Sequence, residues 1–208
     1  MIHAYDELYL ERAKTALGRM LDFAVYALEE PLPSFWEKFL RSDLVRLFEN
    51  GDTSLLAGKS GIEMAYEVEK ITDRNVTYEI SFGRSPEYWT GWALAYYQWE
   101  TNLPFRRITD VVSITEILSL YMPYHEMDIR HFSDKMTELR KARSPMSCLK
   151  LLREKAGLSQ SALAAASGVP VRTIQQYEQR RKNINKAQAE ALVALSKALY
   201  CRVEDLLE

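Results

Sequence analysis

Two polar side chains near the end of the sequence could bind the edges of nucleic-acid bases. Arg172 and Gln176 are four residues apart, which places both on the same face of a helix. An arginine guanidinium can bond to O6 and N7 of guanine, and a glutamine amide can pair in the same two-point way with adenine. Val171, one residue earlier, could contact the methyl group of thymine. These residue types suit direct base recognition if a helix presents them in its first turns.

The surrounding sequence predicts two short helices joined by a tight turn, which could provide that presentation. The first helix is expected over residues 160–167, because Ser159 can cap its free amides. Gly168 follows where the chain must leave the helix in the left-handed conformation, which costs glycine little. The second helix is expected over residues 171–179. A steeply crossed pair of this kind is a helix-turn-helix unit, whose second helix enters the major groove.

This segment resembles the phage-repressor and Cro-type helix-turn-helix family, also called the xenobiotic-response-element regulators. The resemblance covers the last third of the chain of 208 residues. One position departs from the family pattern, because the family usually has a glycine where Arg180 stands. We therefore expect the turn after the second helix to be built differently, with the basic run 180–182 in its place. The matching positions are residues 151–160, Leu163-Ala164, Gly168-Val169, Thr173-Ile174 and Tyr177-Glu178.

The resemblance implies that the chain ends in a five-helix, lambda-repressor-like DNA-binding domain, and with the helical patterns of residues 1–143 the whole chain is expected to be all-α. It implies base recognition by Val171, Arg172 and Gln176. It also implies that Arg153 and Glu178 form a partly buried, structural ion pair between the first helix and the end of the third. Taken singly, exposed Arg and Gln usually form a solvated helix face, so these roles depend on the complete motif. The residues expected to contact the DNA backbone are Gln160, Thr173, Arg181, Lys182 and Asn183.

Charge is distributed unevenly along the chain. Residues 144–208 carry ten Lys and Arg against six Asp and Glu, whereas residues 1–143 carry 17 against 23. A basic tail suits a surface that meets phosphate, and an acidic body suits a different task. We therefore expect a partner-binding or sensor domain over residues 1–143 and the DNA-binding domain over residues 144–208, with the boundary at Ser144-Pro145.

The first domain is expected to be almost wholly helical. Ser34 and Glu37, and again Ser113 and Glu116, have the spacing of a capping box at the start of a helix. Residues 76–82 alternate β-branched or aromatic residues with polar ones, which is typical of a strand. The sequence offers no second strand-like segment to pair with it, so we expect an extended edge or a pairing supplied by a partner.

An aromatic segment follows Ser85-Pro86-Glu87, which is expected to open a helix that ends near Thr101. Large rings recur in it at steps of three, four and three residues, which aligns them on one helix face. Such a stripe is most often part of a core, but it could also anchor a protein partner, since Trp and Tyr are enriched at interface hot spots. Both could hold, with Tyr88 or Tyr97 exposed. The candidate partner-binding residues are Tyr88, Trp89, Trp92, Tyr96, Tyr97 and Trp99.

No metal, cofactor or catalytic site is predicted. His125 and His131 lack the spacing of a zinc-protease motif and are displaced from each other on a helix. Cys148 and Cys201 fit no metal or disulfide spacing and indicate a reducing compartment. The sequence shows no apolar run long enough to span a bilayer and no signal peptide. We therefore expect a cytoplasmic bacterial protein, associated with the nucleoid when bound to its operator.

Three functions are compatible with these features. The first is a repressor of antitoxin-like organisation, in which the acidic body binds a toxin-like protein and a homodimer represses its own operon at a double-stranded operator. The second is a regulator that senses a small molecule, which requires an enclosed apolar pocket on the order of several hundred cubic ångströms. The third is an enzyme with a DNA-binding tail, for which the sequence offers no catalytic constellation.

Overall fold

The computed structural model describes residues 3–72, 85–143 and 146–208. The chain divides into two compact units, Ile2–Lys141 and Ala142–Glu208. Within the described residues the regular elements are helices and no strand occurs, which confirms the all-α prediction. The strand-like segment 76–82 and the predicted boundary at Ser144-Pro145 lie outside the described residues.

The first unit opens with a short 3-10 helix, Glu7–Tyr9, and continues as a series of α-helices. Several are short and separated by turns of a few residues. Over the described residues they are α1 (Leu10–Tyr26), α2 (Leu32–Arg41), α3 (Asp43–Glu49), α4 (Thr53–Leu56), α5 (Gly61–Val68), α6 (Pro86–Thr101), α7 (Phe105–Thr109), α8 (Ile114–Ser119), α9 (Tyr121–Tyr124) and α10 (Ile129–Arg143).

Helix α1 packs against both α5 and α6, and glycines allow the backbones to approach closely. A Cβ atom on Gly91 of α6 would lie 2.5 Å from the carbonyl oxygen of Leu17, and one on Gly18 would lie 2.8 Å from the carbonyl oxygen of Tyr88. Gly61 at the start of α5 meets the backbone of α1 in the same way. Such distances leave no room for a side chain, so these glycines set how closely the helices pack.

Aromatic rings fill the part of the core that α2, α3 and α7 enclose. Trp36 packs edge-on against Phe105 with ring centroids 5.5 Å apart, and Phe39 packs edge-on against Phe48 at 6.4 Å. All four rings are almost completely buried. Edge-to-face pairs of this kind add to the free energy gained by burying apolar surface.

The helix ends show which local sequence patterns predicted structure correctly. Ser113 and Glu116 form the predicted capping box, in which each backbone amide donates to the side chain of the other residue. The predicted capping box at Ser34 is wrong, because α2 already begins at Leu32 with a proline in its first turn, where no backbone hydrogen bond is lost. Ser34 therefore lies inside the helix, and its hydroxyl donates to Glu30 Oε1 at 2.5 Å.

The second unit has the predicted arrangement of short helices around a small core. Leu163, Ile174, Leu195 and Leu206 are fully buried at its centre. The fifth predicted helix is a 3-10 helix, Val203–Leu206, which places Leu206 in this core. In residues 146–208 the α-helices are α11 (Cys148–Lys155), α12 (Gln160–Ser167), α13 (Val171–Glu178) and α14 (Ala189–Ala198), with a further 3-10 helix at Ile184–Lys186.

Candidate nucleic-acid interface

Helices α12 and α13 are joined by a tight turn at Gly168. Helix α12 begins at Gln160, where the Ser159 hydroxyl accepts a hydrogen bond from the Ala162 amide at 3.0 Å. Gly168 has a φ of +71°, and its amide donates to the Ala164 carbonyl oxygen at 2.8 Å. A Cβ atom on Gly168 would meet no other atom within 4 Å. Glycine is therefore favoured here by the left-handed backbone and not by lack of space.

Helix α13 has one face in the core and one face accessible to solvent. Ile174 and Tyr177 are buried against the centre of the second unit. Arg172 is exposed, and Val171 and Gln176 are partly exposed. The three residues predicted to contact bases therefore lie within the first two turns of one helix, with accessible side chains. A guanidinium, an amide and a branched apolar group in these turns have the chemistry that base edges in the major groove require.

Arg153 and Glu178 form an ion pair between α11 and the end of α13. Arg153 Nε donates to Glu178 Oε1 at 2.6 Å, and Arg153 Nη2 donates to Glu178 Oε2 at 3.1 Å. Arg153 Nη1 also donates to the carbonyl oxygen of Leu158 at 2.8 Å. Each of the two charged residues is only 8 % exposed. This two-point contact ties the last turn of α13 to α11 and limits rotation of the helix.

The ion pair changes the proton affinity of both partners. Burial raises the pKa of Glu178, but hydrogen bonds from Arg153 and Gln160, together with the positive charge of Arg153, outweigh burial and leave this pKa below its ordinary value of 4.5. The hydrogen bond to Glu178 raises the pKa of Arg153. Both groups are therefore charged at neutral pH.

Gln160 lies between the ion pair and the accessible part of α13. Its Nε2 donates to Glu178 Oε2 at 2.8 Å, and its Oε1 accepts from Gln175 Nε2 at 3.2 Å. The residue predicted to contact phosphate is thus also tied to two residues of α13. Sequence patterns did not single out Gln175, because a bond between positions 15 residues apart depends on how the two helices cross.

The other predicted backbone-contacting residues lie at and after α13. Thr173 is partly buried, whereas Arg181, Lys182 and Asn183 are exposed. The Asn183 side chain accepts from the Asn185 amide at 2.9 Å and so caps the following 3-10 helix, which leaves its NH2 group outside that bond. The Lys182 ammonium lies 5.5 Å from the centre of the Tyr177 ring. The exposed ammonium and guanidinium groups are suited to phosphate oxygens.

The turn after α13 differs from what Arg180 led us to expect. Arg180 has a φ of +55°, the left-handed conformation that glycine adopts at this position of a helix end. Its amide donates to the Tyr177 carbonyl oxygen and the next amide donates to that of Gln176, so the turn is built as it would be with glycine. The Arg180 side chain instead donates from Nε to Glu208 Oε2 at 2.7 Å. This ion pair was not predicted.

The aromatic helix α6 begins after Ser85 and ends at Thr101, as predicted. The expectation that Tyr88 or Tyr97 would be exposed is wrong, because both rings are buried. Helix α6 packs against α1 on one side and against α8 and α9 on others, so more than one of its faces is covered. Of the six candidate partner-binding residues, Trp92 and Tyr96 are partly exposed, and the buried ones are Tyr88, Trp89, Tyr97 and Trp99.

Specific contacts hold the aromatic rings in the first unit. Trp99 Nε1 donates to the Tyr5 carbonyl oxygen at 2.9 Å, and the Tyr97 hydroxyl lies 3.1 Å from Thr137 Oγ1. The Lys14 ammonium lies 4.3 Å from the centre of the Trp92 ring, a favourable cation–π contact. The aromatic helix is therefore mainly part of the core.

Two further features concern metal ions and membranes. In residues 3–72, 85–143 and 146–208, no group of three or more His, Cys, Asp and Glu side chains is placed to hold a metal ion. His125 Nδ1 lies 2.9 Å from the Tyr121 carbonyl oxygen, and the two rings stack with centroids 4.0 Å apart. None of the described helices combines the length and apolar character needed to cross a bilayer.

Comparisons with known proteins identify the second unit. Neither the curated proteins nor the solved structures gave a match to this chain. Residues 149–206 match the family model described as helix-turn-helix, which spans α11 to the final 3-10 helix. The C-terminal third of the chain is therefore a helix-turn-helix domain of the Cro/C1 type, and the protein is a DNA-binding transcription regulator.

Proposed function

We propose that the protein is a sequence-specific transcriptional repressor of antitoxin-like organisation, which binds a double-stranded operator in its own operon. The observation that carries the proposal is the accessibility of Arg172 and Gln176 on a helix whose opposite face is fixed in the core. In this arrangement Arg172 bonds to guanine, Gln176 pairs with adenine, and Val171 contacts a thymine methyl group. Neighbouring basic side chains bind phosphate and position the domain.

Selection of DNA duplexes from a randomised library tests this function. The parent protein is expected to enrich one sequence, and Arg172→Ala is expected to bind it about 10- to 100-fold more weakly and to lose preference at one base pair. Gln176→Ala is expected to lose preference at a different base pair. Gln188→Ala removes an exposed glutamine before α14 and serves as the control with parental affinity. Unchanged affinity and unchanged sequence preference in both α13 variants would contradict base recognition.

We propose that the first unit binds a basic, toxin-like protein. Residues 1–143 carry more acidic than basic residues, which supports a basic partner, because complementary charge speeds association and disfavours other partners. Tyr96 is partly exposed in an acidic setting, where its hydroxyl donates to Glu100 Oε1 at 3.3 Å. Burial and the neighbouring Glu100 carboxylate raise the pKa of Tyr96 to about 12. A partly exposed tyrosine beside a carboxylate is suited to contact a basic surface.

Co-purification with the product of the adjacent gene tests the partner. Trp92→Ala and Tyr96→Ala are expected to weaken the complex by about 30-fold or more, while circular dichroism stays unchanged, because truncating an interface anchor has an effect of this size. Trp89→Ala is the contrasting variant, since Trp89 packs edge-on against Phe132 in the core and its loss should lower the melting temperature instead. Parental binding by both surface variants would contradict this interface.

We also propose a homodimer, because regulators with this domain commonly bind two half-sites related by two-fold symmetry. Sedimentation of the protein with its selected duplex should give two chains per duplex. A footprint should show two half-sites separated by about 34 Å or a multiple of that distance. One chain per duplex at saturation would contradict the dimer.

A small-molecule sensor is the second candidate function, and one groove bears on it. Arg12, Arg19 and Lys59 line a groove of about 380 Å³ beside the start of α5. The groove is open to solvent, whereas a sensor requires a pocket that encloses most of its ligand. This groove therefore does not support a small-molecule sensor. The proposal assigns the protein no catalytic activity.

A further inference from the structure

Gln175 belongs to a continuous chain of hydrogen bonds that runs from the buried ion pair to the accessible part of the helix-turn-helix. Its Nε2 donates to Gln160 Oε1, and Gln160 Nε2 donates to Glu178 Oε2. Glu178 accepts from Arg153 at both carboxylate oxygens. The four side chains come from α11, α12 and α13. These hydrogen bonds therefore connect all three helices that position the DNA-binding surface.

The direction of these hydrogen bonds is fixed at the buried end. An ionised carboxylate only accepts hydrogen bonds, so Gln160 must turn its NH2 group towards Glu178. The carbonyl oxygen of Gln160 then faces α13, and Gln175 must supply an N–H to it. Each glutamine NH2 has two N–H bonds, and this arrangement uses one of them in each residue. Both glutamines are partly exposed, so their second N–H bonds can reach an acceptor outside the domain.

We propose that Gln175 is a positioning residue for DNA binding, which orients Gln160 so that the second N–H of Gln160 donates to a phosphate oxygen. This role rests on the proposed DNA-binding function, and it explains how the hydrogen bond from Gln175 orients a phosphate-binding side chain. Phosphate is the acceptor, because a DNA-binding surface beside a recognition helix meets the sugar–phosphate backbone. A side chain that is held in place before binding loses less rotamer freedom when the complex forms.

Methionine substitutions test this role because methionine matches glutamine in length and lacks the amide. The probe is the duplex that the parent protein selects from a randomised library, and the readout is the dissociation constant at fixed salt. Gln175→Met and Gln160→Met are each expected to weaken binding about tenfold. The double variant is also expected to lose only about tenfold, because both substitutions remove the same phosphate contact. Gln188→Met is the matched control and should bind like the parent.

A second measurement follows the hydrogen bond itself in the full-length protein without DNA. The side-chain NH2 signals of Gln160 in a nuclear magnetic resonance spectrum are expected to shift in Gln175→Met and to stay in place in Gln188→Met. Thermal melting should show that each variant is folded. Unshifted Gln160 signals in Gln175→Met would overturn the hydrogen-bond chain.

The outcomes separate this inference from the function on which it rests. Parental affinity of Gln175→Met, or a loss of about 100-fold in the double variant, would overturn the positioning role, because independent contacts multiply their effects. A parent protein that selects no duplex would overturn the DNA-binding function. If the Gln160 signals shift in Gln175→Met while the DNA affinity is unchanged, the parent protein has the hydrogen bond, but the bond has no role in DNA binding.

Discussion

At the scale of single residues, two non-glycine residues of the second unit adopt the left-handed backbone conformation in which helices commonly end with glycine. Arg180 follows α13 with a φ of +55°, and Tyr200 follows α14 with a φ of +51°. Both residues make the same pair of backbone hydrogen bonds to the last turn of the helix. The two side chains differ in their contacts, because Arg180 pairs with Glu208, whereas Tyr200 is 98 % exposed.

This difference predicts that the two positions respond differently to substitution by glycine. Tyr200→Gly should raise the free energy of unfolding of the second unit by about 1 kcal/mol, because it removes the left-handed strain without uncovering a buried side chain. Arg180→Gly removes a similar strain together with the Glu208 ion pair, so it should give no gain. Urea denaturation of the two variants measures both effects. A loss of stability in Tyr200→Gly would contradict the proposed relief of backbone strain at this position.

At the scale of secondary-structure elements, the ion pair between α11 and α13 predicts how the second unit responds to acid. The pKa of Glu178 is lower in the folded protein than its ordinary value of 4.5. The stabilisation it provides is therefore complete above about pH 4.5 and is lost as the pH falls through the folded-state pKa. Urea denaturation from pH 7 down to about pH 3 should show this loss. Glu178→Gln should start from lower stability and lack this part of the pH dependence.

Removing the arginine of the same pair should be more damaging than removing an exposed charge. Arg153→Ala leaves the Glu178 carboxylate buried without its cationic partner, although the hydrogen bond from Gln160 is retained. Such a loss typically costs about 3–5 kcal/mol. Arg181→Ala is the control, since Arg181 is exposed at the end of α13 and should weaken DNA binding while leaving the melting temperature unchanged. Normal melting of Arg153→Ala with lost DNA affinity would instead make Arg153 a phosphate ligand.

The contact between α1 and α6 depends on two glycines and predicts a large effect of one methyl group. A Cβ atom on Gly91 would lie 2.5 Å from the Leu17 carbonyl oxygen and 2.9 Å from Gly18 Cα, and backbone atoms in packed helices cannot move aside easily. Gly91→Ala should therefore lower the stability of the first unit by about 1–3 kcal/mol or more. Calorimetry measures this loss of stability. A DNA-binding assay of the same variant is the control, because Gly91 lies in the first unit and the DNA affinity of the second unit should be retained. Unchanged melting would contradict the close approach.

At the scale of the whole molecule, the opposite charge of the two units predicts a salt-dependent effect on DNA affinity. The fragment 142–208 lacks the acidic unit, so it should bind non-specific DNA more tightly than the full chain at low salt. The difference should shrink as salt rises, because screening shortens the range of charge interactions to about 10 Å at 0.1 M. Fluorescence anisotropy over a salt series measures this effect. Equal affinities at low salt would show that the acidic unit does not influence the encounter with DNA.

Much of the second unit follows from local sequence patterns. The Ser159 cap, the Gly168 turn and the start of the next helix at Val171 all lie where the sequence predicts them. These features depend on hydrogen bonds and backbone conformations within a few residues, so neighbouring residue types determine them. The apolar spacing of α13 likewise predicted that Ile174 would be buried. The sequence by itself therefore determined the class of domain and the helix that carries its candidate base contacts.

Other features were decided only by the tertiary structure, because they depend on residues far apart in the chain. The periodicity of the aromatic segment places its rings on a helix face, but the packing of several helices around α6 decides that Tyr88 and Tyr97 are buried. The identity of Arg180 does not reveal that its backbone takes the glycine conformation, or that its side chain pairs with Glu208, 28 residues away. The Gln160–Gln175 bond exists only where two helices cross. Long-range packing and charge pairing select among conformations that local propensity leaves open.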